Sequence, residues 1–117
     1  MQTPTVQPRR SFIFTPGLKP EMFPKALASG ADMVCIELED GIAPKDKAAA
    51  RQRALALFET PHADDGVERI LRINSMRERF GIEDVQAILA TDTPPPALMM
   101  PKVSTPDEVV ILDQLLA

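Results

Sequence analysis

Cysteine and histidine are nearly missing from these 117 residues, where Cys35 and His62 each stand alone. A single cysteine forms no intramolecular disulfide, which fits a reducing compartment such as the cytosol. Zinc-type Cys/His spacing is absent, as are the phosphate-binding G-x-x-x-x-G-K-[ST], dinucleotide G-x-G-x-x-G and nucleophile-elbow G-x-S-x-G patterns. No apolar run approaches the roughly 20 residues that span a bilayer. The opening MQTPTVQPRR carries no apolar core of a secretory signal. Positive charge is not in excess either: the net charge is −4, a balance that does not favour nucleic acid.

What is present is a chain of one-domain length, 44% hydrophobic and 26% charged, a globular rather than disordered composition. Its 12 prolines are roughly twice the usual share, and they are not scattered. Pro16, Pro20, Pro44, Pro101 and Pro106 each lie just beyond an apolar run. Because proline fixes φ and lacks an N–H, it ends strands and opens helices. The punctuation predicts strands over 11–15, 33–38, 70–73 and 98–100, after a loose arm at 1–10. It predicts helices over 21–29, starting late because of Pro24 and stopping at Gly30, then over 46–58, 82–89 and 106–116. Ser104 or Thr105 caps the last helix, with Asp107 and Glu108 complementing its dipole. Strands alternating with helices, without hairpin signals, argue for an α/β fold on a parallel sheet.

In such folds ligands bind at the carboxyl ends of the strands. Those ends carry Thr15, then Glu37, Glu39 and Asp40, then Arg72 and Asn74, then Lys102. Alternation along a strand puts Glu37 and Glu39 on one face and Arg72 and Asn74 on one face, so charges of both signs are expected to converge on one pocket. Terminal charges after a strand are ordinarily solvated. Glu37 and Arg72 differ because they lie within apolar strands, where an unpaired charge costs several kcal/mol. A mutual ion pair accounts for them structurally. A ligand accounts for them functionally, since an arginine with free paired donors suits a carboxylate and nearby acids suit a divalent cation. His62 reads as surface, Cys35 as a small buried hydrophobe, Met99 and Met100 as core, and Lys19 and Lys25 as solvated unless a phosphate meets them near the first loop.

The stretches RRSFIFTPGLKPEMFPKALASGAD, CIELEDGIAPKDKAAAR, RIN and MMPKVSTPDEV follow one another over about residues 9–112. In that order and spacing the chain resembles the amino-terminal half of the HpcH/HpaI aldolase/citrate lyase beta subunit-like family. The resemblance implies a (β/α)8 TIM barrel, with this chain as a single partial domain covering the first four βα units. It implies an Mg²⁺-dependent lyase or aldolase that cleaves or forms C–C bonds in small carboxylic acids, often as coenzyme A thioesters of the citryl or malyl type. By the family pattern Arg72 grips a substrate carboxylate, and Glu39 and Asp40 lie beside the metal and its waters. Substrate contacts are expected from Glu37, Asn74, Lys102, Thr15, Pro16 and Gly17, and coenzyme A contacts from Lys19 and Lys25. Glu37 stands where the family more often has Asp, and Lys19 where it often has Arg.

The family's metal ligands come from strands beyond the fourth, so no direct ligand is expected here and Glu39 and Asp40 act at most through water. A whole barrel takes about 250 residues. The expectation is therefore a fragment, without turnover alone, although two copies closing a barrel or a second polypeptide would also complete it. A cytoplasmic homo-oligomer, without nucleic acid or membrane partners, completes the expectation. Three other readings compete: a doubly wound receiver module, a non-catalytic binding or assembly piece, and an aldolase on free pyruvate-type acids.

Overall fold

Proline and small residues place the element boundaries. The computed structural model describes residues 6–61 and 65–117; His62 lies outside them. Strand β1 is Phe12–Pro16, β2 Met33–Glu37, β3 Glu68–Arg72 and β4 Leu98–Met99. Helix α1, Phe23–Leu27, follows a single 3-10 turn at Pro20–Met22, so Pro24 falls in the first turn, where its missing N–H is harmless. Helix α2, Lys47–Ala56, also follows a 3-10 turn, Pro44–Asp46.

Helix α3, Arg79–Ala90, begins three residues earlier than the apolar pattern predicts, since Gly81 lets it pass against the end of β3. A Cβ there would lie 1.9 Å from the Ser75 carbonyl oxygen. Helix α4 is Pro106–Leu116, with a capping box between Thr105 and Glu108.

The four strands are all parallel, in the order β1-β2-β3-β4. A doubly wound receiver reverses its strand order at a switch point, so this order excludes that reading. Register then fixes the faces, because side-by-side residues in parallel strands point the same way. Thr15, Ile36, Leu71 and Leu98 align, and so do Pro16, Glu37, Arg72 and Met99. The first set faces the helices. There Val34, Ile36 and Leu71 pack with Phe23 and Ala26 of α1, Ala50 and Ala54 of α2, Val85 and Ile88 of α3 and Leu112 of α4. All four helices thus cover one face, as right-handed crossovers in one direction require. The opposite, inner face carries Phe14, Cys35 and Ile70 in one row and Glu37, Arg72 and Met99 in the next.

Three expectations change. Met99 stands beside Arg72 on the inner face, and only Met100 packs on the helix-side core. Strand β3 starts at Glu68 rather than at its first apolar residue, because its polar residues find charged partners: Arg9 for Glu68 and Asp65 for Arg69. The arm over 7–10 is also tied down. Gln7 Nε2 donates to the Gly66 carbonyl at 2.9 Å, and Arg9 Nε to Glu68 at 2.6 Å. The Arg10 backbone N–H reaches Asp32 at 2.8 Å.

These contacts set a pH response. Hydrogen bonds from Arg10, Arg69 and Arg9 hold Asp32, Asp65 and Glu68 below their ordinary values, and the Ser104 and Thr105 N–H groups do the same for Glu108. Carboxylates depressed on folding contribute stability above the unfolded values of 3.8 and 4.5. They lose it as pH falls through the folded ones. The melting temperature is therefore expected to be level between about pH 5 and 7 and to drop by several degrees by about pH 3. Thermal denaturation across that range checks it, and a flat profile would show these bonds contribute nothing.

Candidate functional site

The site is built where β2, β3 and β4 end. Glu37 closes β2 on the inner face, and the chain then turns so that its carboxylate takes the next two free N–H groups. Oε1 accepts from Glu39 N at 2.7 Å and from Asp40 N at 2.8 Å. Oε2 accepts from Arg72 Nη1 at 3.2 Å. Arg72, in register with Glu37, also lies over the Phe14 ring at 5.5 Å, a cation–π contact that orients the guanidinium.

Glu39 completes a line of alternating charge. Its Oε2 is 3.9 Å from Arg72 Nη2, and its Oε1 is 2.7 Å from the Lys102 ammonium. The hydrogen bond with Glu39 raises the pKa of Lys102, which keeps it charged. Guanidinium and carboxylates share one mouth, as strand parity predicts. Among the described residues, two buried atoms in that mouth have no hydrogen-bond partner, Arg72 Nε and Glu39 Oε2. A buried donor or acceptor left unmade costs about 1–3 kcal/mol.

The other expected contacts are distributed differently. Thr15, 2% exposed, lies on the helix-covered face with Ile36 and Leu71, so its hydroxyl is on the far side of the sheet from Arg72. Gly17 is needed for packing: its N–H bonds to the Glu37 carbonyl at 2.9 Å, and a Cβ would sit 2.9 Å from the Leu38 side chain. Pro16 lies on the inner face beside Glu37. Asn74 is turned toward α3, with N and Nδ2 both donating to Asp84 Oδ2 at 2.8 and 2.7 Å, while its buried Oδ1 has no hydrogen-bond partner among the described residues. Asp40 joins the cluster through its backbone and keeps its side chain exposed. Lys19 and Lys25 are exposed and make no ion pair among the described residues. Cys35 is buried on the inner face, and burial first, then the charge of Glu37, pushes its thiol up to about 12, an inert value. Among the described residues no group of three or more His, Cys, Asp or Glu could hold a metal ion.

Three supporting residues escaped the sequence reading. Lys47, Arg51 and Asp84 hold the loop ends from behind: Arg51 Nε bonds Asp84 Oδ1 at 2.7 Å, and Lys47 reaches the carbonyls of Leu38 and Glu39. A usable signal existed. Lys47 falls at helical spacing with Ala50 and Ala54, and Asp84 with Gly81, Val85 and Ile88, so each is a charge on an apolar stripe. A cavity of about 430 Å³ lies elsewhere, between the proline triplet, α3 and α4. Its apolar lining, with Asp113 the one charged member, offers nothing to a carboxylate.

The family model for HpcH/HpaI aldolase/citrate lyase matches residues 10–117. The chain belongs to this family. The L-malyl-CoA/beta-methylmalyl-CoA lyase of Cereibacter sphaeroides is 37% identical over 115 residues, covering 96% of this chain and 35% of the relative. The human mitochondrial citramalyl-CoA lyase is 32% identical over 103 residues, covering 87% of this chain and 30% of the relative. The CitE protein of Mycobacterium tuberculosis, solved with magnesium, acetoacetate and coenzyme A, superposes with a TM-score of 0.68 at 33% identity. That match covers 89% of this chain and 37% of CitE. The chain thus spans about a third of the length of the curated relatives it matches. Within the HpcH/HpaI family its four βα units are part of a TIM barrel, and the inner face described above is the side that faces the barrel interior.

Proposed function

We propose that these four units work within a complete barrel as the acid-gripping part of a carbon–carbon lyase acting on small acyl-CoA thioesters of the malyl or citramalyl type. The observation that carries this reading is the unpartnered edge of Arg72. Its Nη1 is held by Glu37, whereas among the described residues Nε has no hydrogen-bond partner and Nη2 has only a distant ion-pair partner. Nε and Nη2 form the side-on fork that takes a carboxylate through two parallel bonds.

In this mechanism the substrate's carboxylate docks on that fork, and Glu37 keeps the guanidinium in place and partly neutralised. Phe14 lies over it and helps to orient it. Glu39, held by Lys102, presents Oε2 as an acceptor beside the docked acid, able to order a water or take a proton there. The exposed Asp40 carboxylate lies next in the chain. The orphaned Glu39 Oε2 and the Asp40 carboxylate fit a minor share of a magnesium site, which favours one or two carboxylates plus waters. Bound magnesium would supply positive charge that stabilises the anion developing as the C–C bond breaks. Homo-oligomeric assembly and cytoplasmic residence belong to the same reading. The single cysteine supports a reducing compartment, and no helix among the described residues is long and apolar enough to cross a membrane.

The test is a lyase assay on the native polypeptide. Release of a 2-oxo acid from a malyl-type thioester, abolished by EDTA and restored by Mg²⁺, is the expected result. Cleavage of the free hydroxy acids alone would replace the thioester reading, and binding of such acids without turnover would replace catalysis with a binding role.

A further inference from the structure

The turn that carries Glu39 and Asp40 is gripped from both sides by opposite charges. A carboxylate, Glu37, takes the N–H groups of Glu39 and Asp40. An ammonium, Lys47, takes the carbonyls of Leu38 at 3.1 Å and Glu39 at 2.6 Å. Lys47 is 8% exposed, lies in the first turn of α2 on the stripe with Ala50 and Ala54, and is 5.9 Å from the Phe80 ring. It makes no ion pair among the described residues, so a buried charge is held largely by backbone dipoles. Lysine there is a poor choice for packing and a good one for seizing carbonyls with a rotatable head of three donors.

We propose that Lys47 is a positioning residue: by holding the Leu38 and Glu39 carbonyls it sets the direction in which the Glu39 carboxylate enters the mouth. The inference rests on the lyase reading for its catalytic consequence. The clamp itself rests on geometry alone. Arg72 sits on a different strand, and its grip on the substrate acid does not pass through Lys47. Loss of the clamp therefore impairs the chemical step more than substrate capture.

The experiment compares Lys47→Met, which keeps the length and removes the donors, with Lys47→Arg, which restores charge and donors, both in the native polypeptide. Two readouts are taken on folded protein: hydrogen exchange at the Glu39 and Asp40 amides, and kcat and KM on the malyl-type thioester. With Lys47→Met, exchange at these two amides is expected to quicken about tenfold or more while Ile36 and Leu71 stay within about twofold. The same variant is expected to lose about tenfold in kcat with KM changed less than about twofold. Lys47→Arg is expected to recover part of both. Unchanged exchange in Lys47→Met overturns the clamp. Faster exchange with unaltered kcat overturns its positioning role, as does a loss confined to melting temperature. A parent protein inactive on every thioester counts against the lyase reading, and the exchange data then decide the clamp independently.

Discussion

If the complete barrel is the proposed lyase, replacing Arg72 with lysine is expected to lower kcat/KM by roughly 100-fold while leaving the melting temperature nearly unchanged. The two halves of that expectation have separate causes. Arg72 Nη1 bonds Glu37 at 3.2 Å, and a lysine ammonium can still neutralise that carboxylate, so the strand end keeps its charge balance. What lysine lacks is the planar fork. The unpartnered Nε and the loosely held Nη2 would otherwise make two charge-assisted bonds to one carboxylate, and each such bond contributes about 1.5–3 kcal/mol. Losing one of them, with the geometry of the other, costs about 2–4 kcal/mol, and about 1.4 kcal/mol is a factor of ten. Steady-state kinetics on the thioester, with the Arg72→Lys variant and the parent side by side, settles it. Activity within a factor of two of the parent removes Arg72 from this role.

The largest effect on stability is expected from Asp84→Ala, about 3–5 kcal/mol. Asp84 is 1% exposed and receives bonds from Arg51 Nε, Asn74 N and Asn74 Nδ2, all at 2.7–2.8 Å. Truncation leaves the mostly buried Arg51 with only Glu83 and the Phe80 carbonyl on Nη2, strips its Nε of a partner, and frees two Asn74 donors at once. The exposed pair Arg79–Glu83, by contrast, lies at 3.5 Å on the surface of α3. Such pairs contribute only about 0–1 kcal/mol. Asp84→Asn keeps an acceptor for Asn74 and loses the charge facing Arg51, so its cost is expected to lie between those of Asp84→Ala and of breaking the surface pair from its exposed side with Arg79→Gln. Urea denaturation of the three variants ranks them, and a cost below about 1 kcal/mol for Asp84→Ala would mean that Arg51 and Asn74 find other partners.

Both predictions concern contacts made at the end of β3, by Arg72 on the strand and by Asp84 of α3 through Asn74, yet only Arg72 was visible beforehand. The reason lies in how far each inference has to reach along the chain. Proline and glycine act on their own dihedrals, so the positions of Pro20, Pro24, Pro44 and Pro106 determined where helices open. Parallel strands all end on the same side, so reading strand ends is enough to bring Glu37, Glu39, Arg72 and Lys102 to one mouth before any register is known. Period-two alternation within a strand likewise places Glu37 opposite Ile36.

Thr15 shows where that logic stops. Alternation says that Thr15 differs in facing from Pro16. Only pairing with Ile36 and Leu71 says that its hydroxyl lies under the helices rather than in the mouth. Lys47, Arg51 and Asp84 are further from reach, because their partners belong to other elements and depend on how α2 and α3 are rotated against the sheet. Chain order and local dihedral preference wrote the four βα units and the polar strand ends. Register across strands and helix rotation, fixed by contacts between distant segments, decided which polar groups share the mouth and which charges hold them there.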